Sequence, residues 1–286
     1  MNYVNEFKKK IEELLPLLKK AYIAYYGKEY EERINSVVDS IKIVFLEGKK
    51  LCKDEEGKII SINEINSADI NSINKAPKWD AKACVIPKTY PPIAILRPNE
   101  QLSLHTLIHE INHTLHNEKE QLDFGFTSSV MSIISSLSTK GNSEYNEGIK
   151  GTDDDLIYEI INDYMSYDIL EILKVIIKQS NIQFDGIDFD FDNFNYLYLD
   201  QIDDYIIKKF YEHNKDEIKK LLVLARGKEI LSRYSYFNYD AENKRINYIH
   251  TNFENNSTRM QQQQGLTIEE AKENTLQFLI SKLKQK

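Results

Sequence analysis

Tryptophan occurs once in the 286 residues, cysteine twice, proline six times, histidine six times and glycine ten times. The two cysteines, Cys52 and Cys84, stand in no CxxC and beside no histidine pair, which leaves a metal or redox role for them without support. They read as two reduced, partly buried thiols. No stretch approaches the roughly 20 apolar residues that a membrane span requires, so none is expected. The N-terminal MNYVNEFKKKIEELLPLLKKAYIAYY alternates apolar and charged residues at helical spacing and has no small-residue cleavage site; a cytoplasmic protein is expected. Positive charge is in deficit, 37 Lys and Arg against 45 Asp and Glu, for a formal net charge of −8. That argues against nucleic acid as a partner and makes a cationic peptide, or a protein with a basic patch, the more natural one.

With 41% hydrophobic and 29% charged residues the composition is that of an ordinary globular chain. Its length suffices for one large domain or two modest ones around a cleft. Periodicity predicts helices over 3–26, with a kink near Pro16, and 28–39. A strand follows at Ile41, Ile43 and Phe45, and 47–77 reads as loop or edge structure with a short strand at 58–60. Residues 83–87 and 92–96 read as strands bounded by prolines, so at least one should lie at an edge. A helix follows over about 100–117, then a short helical pattern at Val130 to Leu137. A strong helix starts at the acidic Asp153, Asp154 and Asp155. Beyond a break near 180 the chain is mostly helical, with a stranded piece at 231–250, a polar loop at 261–264 and a last helix over 267–284. The expectation is an α+β protein: 1–180 a catalytic domain with a small mixed sheet packed on one central helix, 181–286 a mostly helical subdomain closing the cleft.

That central helix carries the chemistry. His105-Thr-Leu-Ile-His109-Glu110-Ile111-Asn112-His113-Thr-Leu-His116 contains HExxH and holds four of the six histidines. On a helix, residues four apart differ by about 40° in azimuth and about 6 Å in height, so His109 and His113 can converge on one ion. Glu110 points to a neighbouring azimuth, where it can reach a water on that ion. Leu104, Leu107, Ile108, Ile111 and Leu115 form a separate apolar face that should enter the core. Catalytic zinc takes three protein ligands and leaves a position to water, so a third must come from elsewhere. Lys119 stands where HExxHxxGxxH would need histidine, which excludes the metzincin arrangement, and His116 is too close along the helix to complete a tetrahedron.

Glu159, in Asp155-Leu-Ile-Tyr-Glu159-Ile-Ile-Asn-Asp163, is the favoured third ligand. Here the chain resembles the gluzincin metallopeptidases, the thermolysin-like clan, in which a ligand glutamate on a later helix is followed four residues on by an acid. The resemblance implies a zincin-like fold, peptide hydrolysis with Glu110 as general base, and Asp163 as the acid that orients a ligand histidine. It rests on two short motifs and the order of elements, and does not extend to 180–286. Glu147 is the rival ligand: Asn146 precedes it as is common in gluzincins, but Gly151 occupies the place of the supporting acid. HEINHTLH also resembles, more faintly, the clostridial neurotoxin light chains and the small metallopeptidases that cleave repressors.

In such an enzyme a further donor stabilises the oxyanion; Arg245, Tyr248 and His250 are candidates, each with a structural reading beside it. Ile93 to Arg97 is expected to form an edge strand that pairs with an extended peptide or protein substrate. The competing expectation is a non-catalytic metal- or peptide-binding protein on the same fold.

Overall fold

The computed structural model describes residues 2–48, 50–75, 83–86, 91–97, 102–116, 153–180, 187–188, 201–225, 239–240 and 245–283. It is an α+β protein. In chain order the elements are α1 (Asn2–Tyr26), a 3₁₀ turn (Lys28–Tyr30), α2 (Glu31–Ser40), β1 (Lys42–Glu47), β2 (Lys50–Leu51), β3 (Ser61–Ile62), α3 (Ser67–Lys75), β4 (Ala83–Ile86) and β5 (Ile93–Leu96). Then come β6 (Leu102–Ser103), α4 (Leu104–Leu115), α5 (Asp153–Ser180), β7 (Ile187–Asp188), α6 (Gln201–Val223), β8 (Tyr239–Asp240), β9 (Arg245–Ile246), α7 (Asn247–Gln264) and α8 (Ile268–Leu283). No described helix is long and apolar enough to cross a membrane.

The chain divides into two compact units. The first comprises residues 1–150, 165–193 and 222–225, the second residues 151–164, 194–221 and 226–286, so the division falls inside α5.

The first unit is built on a five-stranded mixed sheet of order β2-β1-β5-β4, with β3 also on β1. β1 and β5 are parallel, Lys42 opposite Ile93 through Phe45 opposite Leu96. β5 and β4 are antiparallel, Ala83 opposite Leu96 through Ile86 opposite Ile93. β5 therefore lies inside the sheet, and the edge-strand role expected of Ile93 to Arg97 is not available to it; among the described strands, β4 and β2 end the order. All four β5 residues are buried, as a strand covered on both faces requires. One face of the sheet gathers Val44, Leu46, Cys84, Ile86, Ile93 and Ile95 with Ile73 of α3. By the two-residue alternation of strands, Ile43, Phe45, Val85, Ala94 and Leu96 point to the other face, and they are buried too.

α1 runs unbroken through Pro16, which stands on the exposed side, where the Glu12 carbonyl that lacks an N–H partner can meet water. Gly27, at φ 117, turns the chain into α2, a conformation L side chains rarely adopt. α3 lies where loop was expected, and the short strand falls at Ser61–Ile62 rather than at 58–60. What starts α3 is a reciprocal cap. Asn66 Oδ1 accepts from the Asp69 N–H at 3.0 Å, and Asp69 Oδ2 accepts from the Asn66 N–H at 2.9 Å. Asp69 Oδ2 also accepts from Lys42 Nζ at 2.7 Å, tying the helix to β1.

In the second unit α7 and α8 pack together. Gln261 to Gln264, expected as a loop, are the last turn of α7. α8 starts on a cap of the same kind, Thr267 with Glu270, and those hydrogen bonds hold the Glu270 carboxyl below its usual range. Tyr164 stacks on Tyr211 of α6 with ring centroids 6.1 Å apart.

Asn66→Ala should cost about 1 kcal/mol through the lost cap. Asp69→Ala should cost more, about 2–3 kcal/mol, since it also leaves the Lys42 ammonium unpaired against the sheet. Urea unfolding of both variants checks the order; equal losses would remove the ion pair from the account.

Candidate metal-binding and catalytic site

α4 begins where the short pairing of β6 with β7 ends. Ser103, in extended conformation, accepts the Thr106 N–H on its Oγ at 3.2 Å and so caps the first turn. At the other end Arg33 of α2 donates from Nη2 to the Leu115 carbonyl at 3.0 Å, placing a cation at the negative end of the helix. Neither glycine nor proline interrupts the twelve residues.

The apolar face enters the core as expected: Leu104, Leu107, Ile108, Ile111 and Leu115 are 0–1% exposed. The polar face, expected to be a separate one, is enclosed as well. His105, Thr106, His109, Glu110, Asn112, His113, Thr114 and His116 are all at most 6% exposed. A histidine-bearing surface helix is thereby excluded. Eight polar side chains are out of bulk water, each at a cost unless a partner compensates.

Several of those partners are within reach of one another. His109 Nε2 and His113 Nε2 lie 3.0 Å apart, with the rings nearly perpendicular. Two such nitrogens cannot both carry a proton at that separation; they share one, or they share another electrophile. Two imidazoles on a tetrahedral zinc, at 2.0–2.1 Å each, have their nitrogens about 3.3 Å apart, close to the spacing here. The His105 ring lies 6.4 Å from that of His109. Glu110, next to His109 in sequence, is 6% exposed, and its charge is felt by Cys84 on β4. Burial first, and then the Glu110 carboxylate, push the Cys84 thiol up to about 12, against a smaller opposing effect of Arg97. Cys84 is therefore a protonated thiol at neutral pH. Both cysteines are free, Cys84 buried and Cys52 partly so.

The helix is held by side chains that its own sequence does not announce. Tyr22 of α1, fully buried, donates from its hydroxyl to the Ile108 carbonyl at 3.1 Å, and burial raises its phenol well above the usual value. One turn on, the Tyr26 hydroxyl meets His116 Nε2 at 2.7 Å. His116 is held well below its usual 6.5, by burial first and then by His113, Arg33 and His109. Asn112 Nδ2 donates to Ser166 Oγ of α5 at 3.0 Å, and both residues are 0% exposed. The tyrosines of α1, Arg33 of α2 and Ser166 of α5 carry no sequence signal that would pair them with this helix.

Comparison with protein-family models, with the curated proteins and with the solved structures finds no match. What the site can do has to be read from its own atoms.

Of the residues expected to form the site, His109 and His113 are brought together, and Glu110 is buried on the same helix. Asp163 is buried on α5. Glu159 belongs to the first turns of α5, but its side chain lies outside the described ones, as do those of Arg245, Tyr248 and His250; Glu147 lies outside the described residues altogether. Among the described residues, no three His, Cys, Asp or Glu side chains are grouped so as to hold a metal. The two imidazoles of His109 and His113 are donors of the kind zinc takes.

The depressed His116 gives a pH dependence with a definite sign. Folded, the ring stays neutral; unfolded, it takes a proton as pH falls through about 6.5. Its contribution to stability is therefore complete above that pH and lost below it. His116→Gln, which keeps an acceptor for the Tyr26 hydroxyl, should flatten the fall in urea midpoint between about pH 6.5 and 5. An unchanged pH profile in that variant would show that His116 does not carry the effect.

Proposed function

We propose that the chain is a zinc-dependent metallopeptidase on a zincin-like fold, with Glu110 as its general base. The observation that carries this reading is the 3.0 Å approach of His109 Nε2 and His113 Nε2, beside a buried Glu110, inside a helix with no exposed face. A structural metal site has no use for a carboxylate between its ligands, whereas peptide hydrolysis needs one.

The metal would be held by His109, His113 and Glu159, with Glu147 as the rival third ligand. Asp163, on α5 four residues after Glu159, would accept a hydrogen bond from the outer nitrogen of a ligand imidazole and fix its tautomer. Zinc, when bound, supplies a water of lowered pKa and polarises the scissile carbonyl. Glu110 takes a proton from the attacking water and passes it to the leaving amine nitrogen. The closed surroundings of α4 keep bulk water from competing for these charges.

The position of β4 supports an extended peptide as the substrate class. Among the described strands β4 ends the sheet order, it packs against α4, and Cys84 on it senses the Glu110 charge. An extended peptide laid along β4 would run past the base. The formal charge of −8 favours a basic peptide over an acidic one.

Glu110→Gln separates catalyst from non-catalytic binder. The variant should keep the wild-type zinc-to-protein ratio and lose peptide hydrolysis by about 10²–10⁴-fold, measured on a mixed peptide library. Equal hydrolysis by both proteins would remove Glu110 from the mechanism. Its absence from both, with zinc bound, would favour the binder.

A further inference from the structure

Asn112 is three residues after His109 and one before His113, and it is fully buried with one end of its amide matched by Ser166 Oγ. Its Oδ1 is buried and has no hydrogen-bond partner among the described residues. A half-satisfied buried amide is a stability liability, and an apolar pair of similar shape would pack without it. A buried polar contact of that kind has a best-attested use, which is to fix one register between helices.

The helix it contacts is the one that bears the acids of the second motif. Ser166 belongs to the same compact unit as α4. Asn112 is three residues from His109 on α4, a spacing that shares a face. The bond between Asn112 and Ser166 thus ties the helix that carries the imidazole pair to α5.

We propose that the Asn112–Ser166 hydrogen bond sets the rotation and register of α4 against the part of α5 that follows Met165, and so holds His109 and His113 in the orientation that binds a metal. Asn112 and Ser166 are then positioning residues, neither touching the metal. The role rests on the zinc reading above and specifies which contact makes the site.

The double variant Asn112→Leu/Ser166→Ala replaces the bond by apolar atoms. It should bind Zn²⁺ about 10- to 100-fold more weakly, measured by competition with a chromophoric chelator. The urea midpoint of its metal-free form should equal or exceed that of wild type, and the visible bands of the Co²⁺ form should shift. Ser166→Thr, which keeps the hydroxyl, should retain wild-type affinity. Should the double variant fail to fold, Asn112→Leu alone supports the same comparison, because the freed Ser166 hydroxyl can donate to the carbonyl four residues earlier in its own helix. Unchanged zinc affinity in the variant, with zinc bound by wild type, overturns the positioning role and leaves the metal site standing. A loss of affinity matched by a loss of metal-free stability also overturns it. Wild type that binds no Zn²⁺ overturns the metal site and the positioning role together.

Discussion

Two imidazole nitrogens held 3.0 Å apart on a helix with no solvent-facing side constrain everything built around them. In water the two rings would repel, rotate and hydrate independently. Buried, they must share a proton or another electrophile, and the surrounding chain must prevent them from turning away. The first unit reads as a set of answers to that demand. Tyr22 fixes a carbonyl within α4, Tyr26 fixes His116, Arg33 closes its C-terminal end and Ser103 its N-terminal end. None of these contacts is remarkable in energy, each being worth about 1 kcal/mol or a little more. Together they make the rotation of α4 a property of the fold rather than of the helix.

The sheet serves the same end from the other side. Its central strand β5 is buried on both faces, and β4, the strand outside it, is the one that α4 packs against. β1, β5 and β4 are in continuous register, and α3 is tied to the sheet through Lys42 and Asp69. Glu110 on α4 is therefore carried close to β4. That is the arrangement in which a carboxylate can be aimed rather than merely present.

Much of this was legible in the residues. HExxH at helical spacing implied converging imidazoles, and the alternation at Ile43 and Phe45, the short apolar runs at 83–86 and 93–96 and the acidic start at Asp153 located their elements. Strand order was not legible, because prolines flank both 83–87 and 92–96 and a four-residue apolar run does not say which neighbour lies on either side. The consequence was an edge-strand role assigned to Ile93–Arg97 that belongs to an interior strand. α3 is hidden for a different reason: its Asn66-x-x-Asp69 cap is a readable start signal, but it stands among polar residues that resemble a loop. The enclosure of the histidine face was invisible, since helical periodicity separates an apolar side from a polar one but cannot tell whether other elements cover the polar side. Tyr22, Tyr26, Arg33 and Ser166 reach α4 across long stretches of chain, and such contacts leave no local pattern.

The claim on which the rest depends is that a metal ion, not a proton, is what His109 and His113 share. The most direct test is the melting temperature of chelator-treated protein titrated with Zn²⁺, for wild type and for His113→Ala. Binding to the folded state alone stabilises it by about 2.7 kcal/mol at a free concentration of 100 times Kd, roughly 5–10 °C in a protein of this size. The account predicts that rise in wild type and none in His113→Ala. A melting temperature of wild type indifferent to zinc, or a rise of equal size in both proteins, would contradict it.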